Sequence, residues 1–324
     1  MPAHAGRLRP LERCIFTLVL ALMASSVAAV AFMATSTRGH NLPTGPFVAE
    51  RQPAYGLPGS KAQAPGAGSG SARTRAPGSR PRGLAPSPEL LSAALAGALR
   101  PVLGTDPGQL AVGVVDLTSG TAATYDAGAV LRGGAIMTTD ILAALLLQHQ
   151  QAGTLLSDRE ADLAADMIES DSTTAADQLW ADIGGAPGLA AANATLKLRD
   201  TFLPPGASWT WAATTVADQL QLLEDIAGPQ SPLDSVSRDY ALGLMTSVAA
   251  PQPWGALAAA TPDTPGAVAD GTLLGPRWVI GSIGVIQRDG HELLVAVLSD
   301  RNPAESPAVS AARAAVLAAV NTVS

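Results

Sequence analysis

Chemistry in this chain has to come from a short inventory of side chains. Hydroxyls and a carboxylate cluster in Ser170-Asp171-Ser172-Thr173-Thr174, and further hydroxyls that could attack a substrate stand at Thr138 and Ser282. A Ser or Thr hydroxyl is a weak nucleophile until a neighbouring amine, imidazole or carboxylate takes its proton. Amines are scarce: of the 20 basic residues only Lys61 and Lys197 are lysines. Chemistry that needs two lysines in one folded site is therefore excluded. Imidazoles are nearly as scarce. Among the four histidines, His149 falls near a helix end, where a cation is favoured anyway, and His291 falls by a hairpin turn, where it is expected to be solvated. Gly281-Ser282-Ile283-Gly284 is not a G-x-S-x-G nucleophile elbow and lies in a strand-like run. The single cysteine, Cys14, excludes an internal disulfide framework and a Cys-based zinc site. Asp158, Glu160, Asp162 and Asp166 are spaced as the solvated face of a helix rather than as a catalytic pair. No cofactor and no metal is expected.

The elements that would position these residues can be outlined from hydrophobic spacing. Leu90, Leu91, Ala94, Leu95 and Leu99 recur at helical intervals; residues 110–117 and 122–125 are strand-like and separated by the turn Thr118-Ser119-Gly120-Thr121. Residues 136–148 form an apolar helix with Thr138 or Thr139 near its start, and helices over 158–168, 174–183, 187–195, 214–226 and 235–248 follow. Strands over 277–286 and 293–298 flank the hairpin signal Arg288-Asp289-Gly290, and residues 303–320 form a last helix. The order implies an α+β fold. An antiparallel sheet would be covered by the terminal helices, with an all-α insertion at about 135–250.

The first 88 residues differ in kind. They carry net charge +8, against −15 for residues 89–324. The acidic part argues against a nucleic-acid partner, which requires a basic face. Residues 14–34 hold no charge, follow Arg7, Arg9 and Arg13, and precede Arg38. That length spans a bilayer, and the flanking charge keeps residues 1–13 in the cytoplasm. The chain is then expected to be a single-pass protein of the cytoplasmic membrane with its C-terminal domain outside. The alternative is a signal peptide cleaved after Ala29-Val30-Ala31, giving a secreted protein. Residues 35–88 form a linker, rich in Pro, Gly and Arg, that cannot bury enough apolar surface to order itself. The excess of Arg over Lys, with abundant Ala and Gly, suggests a bacterial genome rich in G and C.

From residue 89 onward the layout resembles the serine β-lactamase and penicillin-binding-protein superfamily, closest to class A β-lactamases. The resemblance implies three motifs: S-x-x-K, S-D-N and K-T-G. Gly133-Gly134-Ala135-Ile136-Met137-Thr138-Thr139-Asp140-Ile141-Leu142 occupies the place of the first. Its Asp140-Ile141-Leu142 sets a register that puts Ala135 at the nucleophile and Thr138 at the lysine. The second falls on Asp171, Ser172 and Thr173; a slip of one gives Ser170-Asp171-Ser172, and the cluster also suits a helix N-cap. The third falls on Ala269, Asp270 and Gly271, where a carboxylate would repel a substrate carboxylate and Asp-Gly also suits a turn. The segment 196–212, where class A enzymes carry a catalytic Glu, has none; Asp200 is its only carboxylate, and Trp209 and Trp211 could wall a pocket. Within residues 89–324 the one lysine, Lys197, matches neither motif.

The resemblance therefore implies a β-lactamase-like domain without its catalytic set, a pseudoenzyme binding or scaffolding at the cell envelope. A peptidoglycan-like peptide or an envelope protein would be its partner. One alternative is a serine hydrolase with a relocated nucleophile at Ser170, Ser172, Thr138 or Ser282. Another is a structural remnant whose anchor and linker do the work.

Overall fold

The computed structural model describes residues 86–103, 108–249 and 254–324. The expected membrane segment 14–34 and nearly all of the linker lie outside these residues. Among the described residues no helix is long and apolar enough to cross a membrane.

The sheet is built by alternation. Along β7 (His291–Asn302), Leu294, Ala296 and Leu298 face one apolar cluster, while Val295 and Val297 face another. A strand whose successive side chains enter two cores must be covered on both faces. It pairs antiparallel with β1 (Gln109–Asp116) on one side and β6 (Trp278–Arg288) on the other. With β2 (Ala122–Tyr125) and β5 (Ala267–Leu274) at the edges, the order is β2-β1-β7-β6-β5. The β6–β7 hairpin turns at Asp289 (φ 51°) and Gly290 (φ 85°), as two-residue hairpins require.

The terminal helices cover the outer face. Leu95 and Leu99 of α1 (Pro88–Leu99) and Ala312, Val316 and Val320 of the last helix, α8 (Glu305–Val323), share a cluster with Val112, Ile280 and Val297. The inner face receives α2 (Met137–Ala152), entered through a 3-10 turn, Gly134–Ile136. Every residue from 137 to 147 is buried. A helix apolar on all sides is a core helix, and its first turn is thereby fixed. It has no side-chain cap; Thr138 does not start it, but donates its hydroxyl to the Ala135 carbonyl at 3.0 Å. Around α2 pack α3 (Asp158–Glu169), α4 (Thr173–Asp182), α5 (Gly185–Leu196) and α7 (Ser235–Thr246).

Two expectations change. The insertion is not wholly α-helical: β3 (Leu131–Arg132) pairs with β4 (Ala213–Thr214), two-residue strands too short to show a period. It also packs on the sheet. α6 (Val216–Ala227) lies so close to β1 that a methyl on Gly113 would sit 2.7 Å from Leu220 and 2.9 Å from Val216. Asp270-Gly271, which suits a turn in sequence, lies inside β5 instead.

Candidate functional site

The first turn of α2, the first turn of α4, the Trp209–Trp211 turn and edge strand β5 converge on one cleft of about 300 Å³. Ala135 lines it from the 3-10 turn ahead of α2, Thr138 from the first turn of α2, and Asp171, Ser172 and Thr173 from the start of α4. Trp209 and Thr210 form a wall, and Gly271, Thr272 and Leu273 form the β5 side. Six of the eight expected positions thus meet there. Ala269 and Asp270 do not.

Gly271 shows why the register holds. A methyl on it would overlap the Ala135 methyl, so β5 approaches the 3-10 turn this closely only because the residue is glycine. Gly271→Ala is expected to cost about 1–3 kcal/mol through overpacking, read as a lower denaturation midpoint at unchanged slope.

Asp270 takes the other face of β5. Ser282, its register partner on β6, donates a hydrogen bond to it, and Ser282 Oγ accepts from Ala256 N at 2.7 Å. The carboxylate is therefore not in the cleft to repel a ligand. Ser282 is fully buried and is removed as a nucleophile.

Ser172 is the N-cap of α4, accepting from Ala175 N at 3.2 Å, so the capping role of the cluster is realised while the same residue lines the cleft. Asp171 precedes it at φ 53°, a left-handed conformation that Asp tolerates better than most residues. Ser170 ends α3 and does not line the cleft.

The histidines lie elsewhere. His149 pairs with Glu160 at 3.1 Å, and His291, half exposed as expected of a turn residue, meets Asp116 at 2.8 Å. Lys197 is the left-handed C-cap of α5. Among the described cleft residues, none is Lys, His, Arg, Glu or Cys.

The segment 198–212 is held by Asp218 of α6. Its carboxylate accepts from Arg199 N (3.2 Å), Asp200 N (2.8 Å) and Thr201 Oγ1 (2.7 Å). Asp200 contributes its backbone there and no side chain to the cleft. Trp209 is fixed by its indole N–H, which donates to Asp177 at 2.7 Å. Trp211 is stacked by Arg132, whose guanidinium lies 5.0 Å from the ring and pairs with Asp300 at 2.5 Å.

Beneath the cleft is a polar network in which the Asp140–Gln219 bridge was not expected. Asp140, two residues beyond Thr138, is 1% exposed and accepts from Gln219 Nε2 at 3.2 Å. Gln219 Nε2 also donates to Thr214, which bonds Thr201. Burial, with Asp218 adding repulsion against the Gln219 hydrogen bond, pushes the Asp140 carboxyl up to about 7. A carboxylate inside an otherwise apolar helix was the available signal for it.

No protein-family model matches the chain, and no curated protein matches it. Solved structures do. The structure of PBP-A superposes with a TM-score of 0.62 at 17% identity, covering 70% of this chain and 94% of that one. A β-lactamase from Chitinophaga pinensis gives 0.60 at 15%, covering 69% and 96%. An ancestral class A β-lactamase gives 0.58 at 22%, covering 71% and 98%. The chain has the serine β-lactamase and penicillin-binding-protein fold. At these identities the likeness speaks for the β-lactamase fold and not for its activity. Within that fold, the residues at the start of the core helix are Ala135 and Thr138, a methyl and a hydroxyl whose proton is already given to a backbone carbonyl.

Proposed function

We propose that this β-lactamase-like domain is a pseudoenzyme, a binding or scaffolding module held at the outer side of the cytoplasmic membrane by residues 14–34. One observation supports the loss of catalysis: among the described lining residues there is no amine, imidazole or glutamate, and Asp171 is the one carboxylate beside a hydroxyl. Ala135 offers no atom to attack a carbonyl. Nothing at Thr138 can take a proton from a neighbouring hydroxyl in the way an amine would. Of the nominated hydroxyls Ser172 and Thr138 line the cleft; the Ser172 oxygen caps α4 and the Thr138 proton is donated to the Ala135 carbonyl.

The envelope location rests on sequence: an uncharged 21-residue run behind three arginines, then a basic linker. A peptidoglycan-like peptide or an envelope protein is the class of partner that this location offers.

The test is turnover. The full chain incubated with nitrocefin is expected to hydrolyse it no faster than buffer. Saturable hydrolysis that Ser172→Ala or Thr138→Ala abolishes would replace the pseudoenzyme with a hydrolase whose nucleophile has moved.

A further inference from the structure

The cleft's functional groups restrict what it can hold. The only charged side chain among its described lining residues is Asp171. That carboxylate opposes a ligand carboxylate, and no cation lines the cleft to offset it. A ligand ammonium is opposed from another direction. α2 and α4 both present their first turns to the cleft, and helix N-termini carry positive partial charge. Neither sign of formal charge has a consistent partner.

Hydroxyls do. Thr138, Ser172, Thr173 and Thr210 line the cleft, while Thr272 borders it with its hydroxyl turned away to Glu305. Thr138 donates its proton to Ala135 O, which leaves that oxygen's lone pairs to accept. Ser172 Oγ accepts from Ala175 N, which leaves its proton to donate. Asp171 supplies a strong acceptor. A surface with donors and acceptors interleaved complements groups that do both, and a hydroxyl is such a group. Indole adds the remaining requirement. Trp209 lines the cleft from a largely buried position, and two residues on, beyond the cleft lining, Trp211 is 42% exposed with Arg132 over its ring and a ring edge near Gly275 just past β5. Rings of this kind pack against flat C–H faces while polar edges stay bonded.

We infer that the cleft binds an uncharged, hydroxyl-rich ligand, a carbohydrate such as a glycan strand, and not a peptide ending in a free carboxylate. This rests on the non-catalytic binding role proposed above. The test is a titration of the full chain, followed by tryptophan fluorescence and by amide NMR shifts. The three probes are the N-acetylglucosamine trimer, N-acetyl-D-alanyl-D-alanine and putrescine. Saturable binding of the trimer, with shifts at Thr138, Thr173 and Thr272, is expected, without saturation by the other two. Asp171→Asn keeps size and tolerates the left-handed backbone, so it is expected to fold and to weaken the trimer at least about tenfold, the loss of a hydrogen bond to a charged group. Saturation by the dipeptide or the diamine instead, or no trimer binding by the folded chain, would overturn the assignment. Binding of the trimer together with nitrocefin turnover would leave the ligand class standing and remove the pseudoenzyme. Inertness without trimer binding would remove only the ligand class.

Discussion

Asp140→Asn is expected to leave stability near pH 4 almost unchanged and to raise it progressively above that, by on the order of 4 kcal/mol once the pH passes 7. The folded carboxyl is held up at about 7, while the unfolded one titrates near 3.8. Below pH 4 both states carry the proton and the group costs nothing. Between 4 and 7 the unfolded chain ionises and the folded chain does not, so native stability falls as pH rises and levels off above 7. Asparagine removes that slope. It keeps an acceptor for Gln219 Nε2. Asp225, raised to about 6 mainly by burial, imposes a smaller slope of the same sign that the variant retains. Thermal denaturation of both proteins from pH 4 to 8 measures the difference. Parallel curves would show that Asp140 is ionised in the native state throughout.

Asp218→Ala acts in the opposite direction. It leaves two backbone N–H groups and the Thr201 hydroxyl without their acceptor, each costing about 1–3 kcal/mol, so a loss of about 3–5 kcal/mol is expected. The consequence is local as well as global. The segment freed is the one that carries Trp209 to the cleft. Its indole should become more exposed, read as a red-shifted fluorescence before the main unfolding transition. Asp218→Asn retains one acceptor oxygen and should fall between the two.

These network effects were only partly legible in the sequence. Apolar runs, helical spacing and the Arg288-Asp289-Gly290 turn signal located α2, the β6–β7 hairpin and the terminal helices to within a few residues. Six cleft positions, Ala135, Thr138, Asp171, Ser172, Thr173 and Gly271, followed from motif register, since the core helix and edge strand set that register together. Side-chain direction was not legible. Asp270 sits beside Gly271 in sequence but across the sheet from it, because successive strand residues face opposite ways. Thr210, Thr272 and Leu273 were missed for a related reason: a wall is made by where an irregular loop and an edge strand end up, and neither carries a period. Asp218 was missed because its partners are mainly backbone N–H groups, which every sequence supplies.

The central claim is that no hydroxyl of the cleft is activated as a nucleophile. The most direct measurement is the intact mass of the folded full chain after prolonged incubation with excess benzylpenicillin. The account predicts an unchanged mass. A stoichiometric gain of one penicillin, mapped to any residue of the cleft, would contradict it.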